Sequence, residues 1–231
     1  MGRSVDREDL ARRARGRDRR RRHRDPIGHR PAPRRPERAA MSETSAKTAL
    51  VLATLLNGTM AGFFYAFSVS VMPGLDAARP AAAIEAMQEI NRAIRNPVFF
   101  ASFFLTPVVT AAAAALYWRA GVGMTALSAA LAALVYLAGA MAPTVLVNVP
   151  LNEALAAFPH VGGEMPAADT WQSYSASWTG WNTARAGFCL LAMLIVLAGH
   201  ASETNAAKAR TSTRAPRSKP VSAAAPDCPR P

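Results

Sequence analysis

From Thr48 to Leu75 the chain runs without a charged side chain, and three further stretches follow suit: Pro97 to Trp118, Ala120 to Asn152, and Trp178 to His200, broken only by Arg185. Each is long enough to cross a bilayer, which takes roughly 20 apolar residues per helix. Backbone groups in lipid have no water to bond, so such runs predict helices. The expected fold class is all-α, a four-helix transmembrane bundle. Pro97 suits a first helical turn, and Tyr117, Trp118 and Arg119 make an interfacial end. The third run exceeds a span, and its surplus is the polar exit Asn148-Val149-Pro150-Leu151-Asn152. Between the first two runs, Ala83, Met87, Ile90 and Ile94 recur at helical spacing opposite Glu85, Gln88, Glu89, Arg92 and Arg95. That pattern predicts a short amphipathic helix lying on the membrane or capping the bundle.

Charge changes the picture only at the ends. Residues 1–40 carry 15 Lys+Arg against 6 Asp+Glu, residues 41–205 carry 6 against 8, and residues 206–231 carry 6 against 1. The body thus has no basic face with which to follow phosphates, which argues against nucleic acid as a partner; the lipid bilayer is the expected one. Residues 1–40, rich in Arg and Pro, cannot bury enough apolar surface to order. They read as a disordered basic head, a lipid-surface anchor, or sequence upstream of a true start at Met41. Residues 41–200 form the membrane domain and 201–231 a disordered basic tail. The connection from Pro150 to Trp178 has Glu153, Glu164 and Asp169 but no Lys or Arg. The positive-inside bias therefore predicts a multi-pass cell-membrane protein with both termini cytoplasmic. Arg79, Arg92 and Arg95 in the first connection run against that bias.

Polar residues inside the spans carry the candidate chemistry. Trp178, Trp181, Asn182 and Arg185 are spaced i, i+3, i+4, i+7 and predict one polar-aromatic stripe at the mouth of the fourth span. A charge at that depth marks a functional site or a buried tether. Asn148 and Asn152 flank Pro150, which removes a backbone donor and frees the carbonyl of Leu146. Asn91 and Asn96 flank the start of the second span, Asn96-Pro97 being an ordinary helix start. In the first span Gly58 and Gly62 form a G-x-x-x-G pair expected to admit a close helix neighbour, while Asn57 and Tyr65 act either as interhelical glue or as pocket lining.

Four motifs occur in a characteristic order: Phe64-Tyr65-Ala66-Phe67-Ser68 leading to Val71-Met72-Pro73; Met87-Gln88-Glu89-Ile90-Asn91 leading to Asn96-Pro97; Asn148-Val149-Pro150-Leu151-Asn152; and Trp178-x-x-Trp181-Asn182-x-x-Arg185. Over about Ala46 to Gly199 the chain resembles the anthrone oxygenase family. The resemblance implies a small four-span membrane protein, and some fungal members are implicated in oxidising anthrones to anthraquinones. Thr183 stands where relatives often carry His, which removes a base beside Asn182.

Anthrone oxidation needs no metal or flavin in principle, because removal of the benzylic proton leaves an enolate that O2 can attack. It requires an apolar slot, a proton acceptor and donors aimed at the oxyanion. The catalytic candidates are Arg185, Asn182, Asn148, Asn152 and His160, with Asp169 and Glu153 as further proton acceptors. Trp178, Trp181, Tyr65, Asn91 and Asn96 are the substrate-binding candidates. Arg185 reads equally as a clamp onto Asn148, Asn152 or loop carbonyls. Only His160, His200 and Cys189 lie in or near the bundle, short of the ligands that zinc or non-haem iron takes, so no cofactor is expected. The leading reading is a cofactor-independent oxygenase acting on a hydrophobic polycyclic aromatic. Its rival is a non-enzymatic membrane subunit or lipid- or quinone-binding protein, and a transporter ranks third.

Overall fold

The computed structural model describes residues 36–159 and 164–214. The expected disordered head as far as position 35, the candidate His160, and the tail from 215 lie outside the described residues. Among those described, four helical stretches are long and apolar enough to cross a membrane: Glu43–Asp76, Pro97–Arg119, Gly123–Ala156 and Pro166–Ser202. They are termed the first to fourth spans. Only 28–33% of the residues in their most apolar windows are buried, so side chains such as Val98, Val108, Leu134 and Leu146 face outward, where lipid rather than water suits them.

The expected amphipathic helix is present as Pro80–Ala93, with Ala83, Ile84 and Met87 buried and Arg92 paired with Glu89 on the exposed side at 2.6 Å. Asn96 starts the second span, its Oδ1 accepting from the backbone N–H groups of Val98 and Phe99. The second span ends on Gly121 at φ 80°. There the N–H groups of Gly121 and Val122 return to the carbonyls of Trp118 and Tyr117, a glycine-dependent helix stop. The third span therefore begins at Gly123 and not at Ala120.

Two further stretches are more helical than the sequence pattern implies. The connection drawn from Pro150 to Trp178 is mostly helical, as Val149–Ala156 and then Glu164 onward. Ala167, Trp171, Tyr174, Ser175 and Trp178 recur three or four apart and are all buried, so this stretch has a core-facing side of its own. At the other end the helix runs to Arg214, past the tail boundary at 201. Alanine, lysine and arginine propagate a helix, and no proline interrupts before Pro216.

Each of three proline-containing stretches widens its helix. Phe67–Val71, Leu137–Met141 and Thr144–Asn148 are π-helical. In each case the residue just before the proline donates five residues back: Met72 to Phe67, Ala142 to Leu137, Val149 to Thr144. Pro73, Pro143 and Pro150 lack the N–H that would close an ordinary turn, and their rings push the fourth carbonyl back aside. Such bulges re-aim side chains and gather at functional sites.

Close helix approach does not use the Gly58/Gly62 pair. A Cβ on Gly62 meets nothing, and one on Gly58 would sit 3.2 Å from the flexible Met193 Sδ. The tight crossings join the third and fourth spans: a Cβ on Gly139 would overlap Phe188, and one on Gly199 would overlap Ser128. Gly139→Val is accordingly expected to cost about 1–3 kcal/mol through overpacking, read as a lower melting temperature in detergent, while Gly62→Val leaves it unchanged.

Candidate active site

The ends of the first and third spans and the starts of the second and fourth meet at one end of the bundle. There Met72, Ile84, Met87, Leu155, Trp171, Tyr174 and Trp178 form an apolar cluster that roofs a set of buried polar groups. The roof is tied down by hydrogen bonds. Gln88 Nε2 donates to the carbonyls of Leu155 (2.8 Å) and Phe158 (3.2 Å), joining Pro80–Ala93 to the end of the third span. Trp171 Nε1 and Ser175 Oγ both donate to Asp76 Oδ1, at 3.0 and 2.6 Å. Tyr174 Oη and Trp178 Nε1 both donate to Asn152 Oδ1 at 2.8 Å.

Beneath the roof, Arg185 is only 4% exposed. Its two terminal nitrogens donate to Thr144 Oγ1 (2.9 Å) and Asn182 Oδ1 (3.0 Å). Asn182 in turn donates to the Phe64 carbonyl (2.6 Å) and Ser68 Oγ (2.7 Å). The guanidinium carbon lies 4.4 Å from the centre of the Phe64 ring and 5.5 Å from that of Trp178, a cation–π arrangement. Two of the three π turns contribute here: Ser68 belongs to the first, and Thr144 and Asn148 to the third.

Two atoms of this nest are buried and lack a hydrogen-bond partner, Arg185 Nε and Asn148 Oδ1, although Asn148 Nδ2 donates to the Trp178 carbonyl at 3.3 Å. Among the described residues no carboxylate stands within 4 Å of Arg185. A buried cation without a counter-ion is costly, and the arrangement favours a ligand oxygen that carries or develops negative charge.

The structure brings together Arg185, Asn182, Asn148, Asn152 and Trp178 from the sequence-derived set. Among the described residues the side-chain partners of Arg185 are Thr144 and Asn182, and not Asn148, Asn152 or a loop carbonyl. Asn91 is buried at the roof, 3.5 Å from Tyr174 Oη. Asn96 caps the second span, with its Nδ2 on the Ala93 carbonyl. Trp181 and Tyr65 are outside the nest, 44% and 61% exposed. At about 100° per residue, Trp181 stands about 60° to the side of Trp178, whereas Asn182 and Arg185 fall within about 40°. Asp169 and Glu153 are exposed. Among the described residues no three His, Cys, Asp or Glu side chains gather as a metal-ligand group.

Thr144, Ser68, Phe64 and Asp76 were not signalled as site residues, nor was a cavity of about 470 Å³ between the first two spans, lined by Met60, Phe63, Phe67, Ile90, Ile94 and Phe99 among others. Phe67 joins the two regions, since it lines this cavity and its ring centre is 5.7 Å from that of Trp178. A run of aromatic residues in the Phe63 to Phe67 and Phe99 to Phe104 segments was the available sign.

The fold and the nest define a four-span membrane protein with a buried cation held among amides and aromatic rings, no carboxylate standing beside it among the described residues. Residues 97–195 match the anthrone oxygenase family model, which together with the four apolar helices supports a membrane protein of this family. The matched stretch contains Asn148, Asn152, Trp178, Asn182 and Arg185. No curated protein and no solved structure gives a significant match.

Proposed function

We propose that the protein oxidises an anthrone-like polycyclic aromatic with O2, without a cofactor. The observation that carries this reading is Arg185, buried, with no carboxylate beside it among the described residues, and with Nε unused. Removing one proton from the methylene carbon of an anthrone gives an enolate whose oxygen takes the negative charge. Arg185 would hold that oxygen, and a fixed donor in a water-poor site stabilises such charge strongly. The electron-rich ring carbon then bonds to O2, a proton returns to give a hydroperoxide, and loss of water leaves the second quinone carbonyl. Overall, CH2 and O2 become C=O and H2O. In this reading the proton passes to Asp76, which accepts hydrogen bonds from Trp171 and Ser175 on the helix that bears Arg185.

The competing reading, a quinone-binding protein without turnover, uses the same cation to hold a neutral carbonyl. Oxygen uptake by purified protein with an anthrone, less the rate with boiled protein to remove autoxidation, separates them. One O2 consumed per quinone formed, well above the boiled control, is the expected result. No excess over that control rules out the oxygenase reading.

A further inference from the structure

We propose that the cavity between the first two spans and the helix Pro80–Ala93 is the antechamber through which a flat, apolar, fused-ring molecule passes from lipid to the Arg185 nest, with Phe67 as the wall between them. This rests on the oxygenase reading for what happens beyond Phe67, but the occupancy of the cavity stands on separate observations.

The first is what its walls are. Phe63 stacks at a tilt on Phe67 (ring centres 5.0 Å apart) and on Phe99 (5.4 Å), and Met60, Ile90 and Ile94 fill in around them. Aromatic walls at offset and tilted angles gain most from another aromatic ring. The volume, about 470 Å³, is that of a small-molecule site and not of a packing defect.

A second observation is what the walls have already spent. Thr59, Asn96 and Ser102 are the polar side chains in the lining. The Thr59 hydroxyl donates to the Leu55 carbonyl, Ser102 to Val98, and Asn96 spends its Oδ1 on the N–H groups of Val98 and Phe99 and its Nδ2 on the Ala93 carbonyl at the end of the preceding helix. The donors of the lining are thus committed to backbone, and an occupant rich in hydroxyls or charge would find nothing to replace its water.

Third, the cavity opens sideways. Thr59, Ala93 and Val98 on its rim are exposed, and Thr59 and Val98 lie on spans whose outer faces are apolar. On the inner side Phe67 packs on Trp178, which stands over Arg185. Phe67 also begins a π turn, so the wall belongs to a locally widened stretch of helix. An opening to lipid, an aromatic interior and a cation beyond it suit a ring system with an oxygen at one edge better than an acyl chain.

The test is photolabelling of the full chain in nanodiscs with 2-azidoanthraquinone, a product-like probe that does not autoxidise, mapped by peptide mass spectrometry. Saturable labelling of Phe63, Phe67, Phe99 or Ile94, suppressed at least tenfold by excess 1,8-dihydroxyanthraquinone and unaffected by oleate, is expected. Thr59→Trp, a change at an exposed rim position that fills the mouth, should abolish it without altering elution of the protein. Displacement by oleate alone, or labelling spread over outward faces, overturns the proposal in favour of an ordinary lipid. Specific labelling without oxygen uptake would remove the oxygenase reading and leave the cavity; uptake without specific labelling would do the reverse.

Discussion

Arg185→Met is expected to cut anthrone-dependent oxygen uptake by roughly 10²–10³, the usual loss when one oxyanion donor goes, while leaving the melting temperature in detergent unchanged or higher. The two effects part because the guanidinium serves the bundle poorly. Its burial without a carboxylate carries a desolvation cost, and replacing buried ions by apolar side chains of similar size is often neutral or stabilising by about 1–4 kcal/mol. Little is orphaned by the change. Thr144 retains its bond to the Ala140 carbonyl (2.8 Å), Asn182 Nδ2 retains Phe64 and Ser68, and only Asn182 Oδ1 loses its partner, at about 1–3 kcal/mol. A structural clamp behaves in the opposite way: a steep drop in melting temperature with turnover intact would assign Arg185 to that role. Scanning fluorimetry beside oxygen uptake reads both.

Asn152→Leu should be among the most destabilising single changes. One carboxamide oxygen accepts from both Tyr174 and Trp178, so its loss strands two donors in an apolar cluster at about 1–3 kcal/mol each. The expected result is a large fall in melting temperature with a red shift of indole emission as Trp178 loosens. Asn152→Asp, which keeps the acceptor, should restore the emission maximum. Unchanged emission in Asn152→Leu would show that this oxygen does not position Trp178.

How far the sequence could be read depends on which physical cue each element offered. The first two spans were legible because Asp76, Asn96-Pro97 and Arg119 bracket uninterrupted apolar runs. The helix Pro80–Ala93 was legible from its period. Residues 164–177 were not, since Gly162-Gly163 and the polar Gln172, Ser173 and Ser175 look like a loop until Trp171, Tyr174 and Trp178 are placed on one face. The nest was half visible. Four residues at i, i+3, i+4 and i+7 cannot say where the centre of the buried arc lies, which is why Trp181 and the buried Asn182 read alike. Thr144 and Ser68 were hidden for another reason: a π turn adds a residue to the winding, so a face counted on one side of Pro73, Pro143 or Pro150 does not continue on the other. Asn57 illustrates the bland outcome, a buried amide joined to Thr110 across the first two spans at 3.2 Å.

The Gln88 clasp has a practical bearing on anyone who looks for product. Because that amide fastens the roof helix to the carbonyls of Leu155 and Phe158, the roofed end of the nest is tied down, and under the oxygenase reading a newly made quinone would leave as its precursor came, sideways. Pigment formed in cells would then accumulate in the membrane fraction, and extraction of the culture medium alone would undercount it.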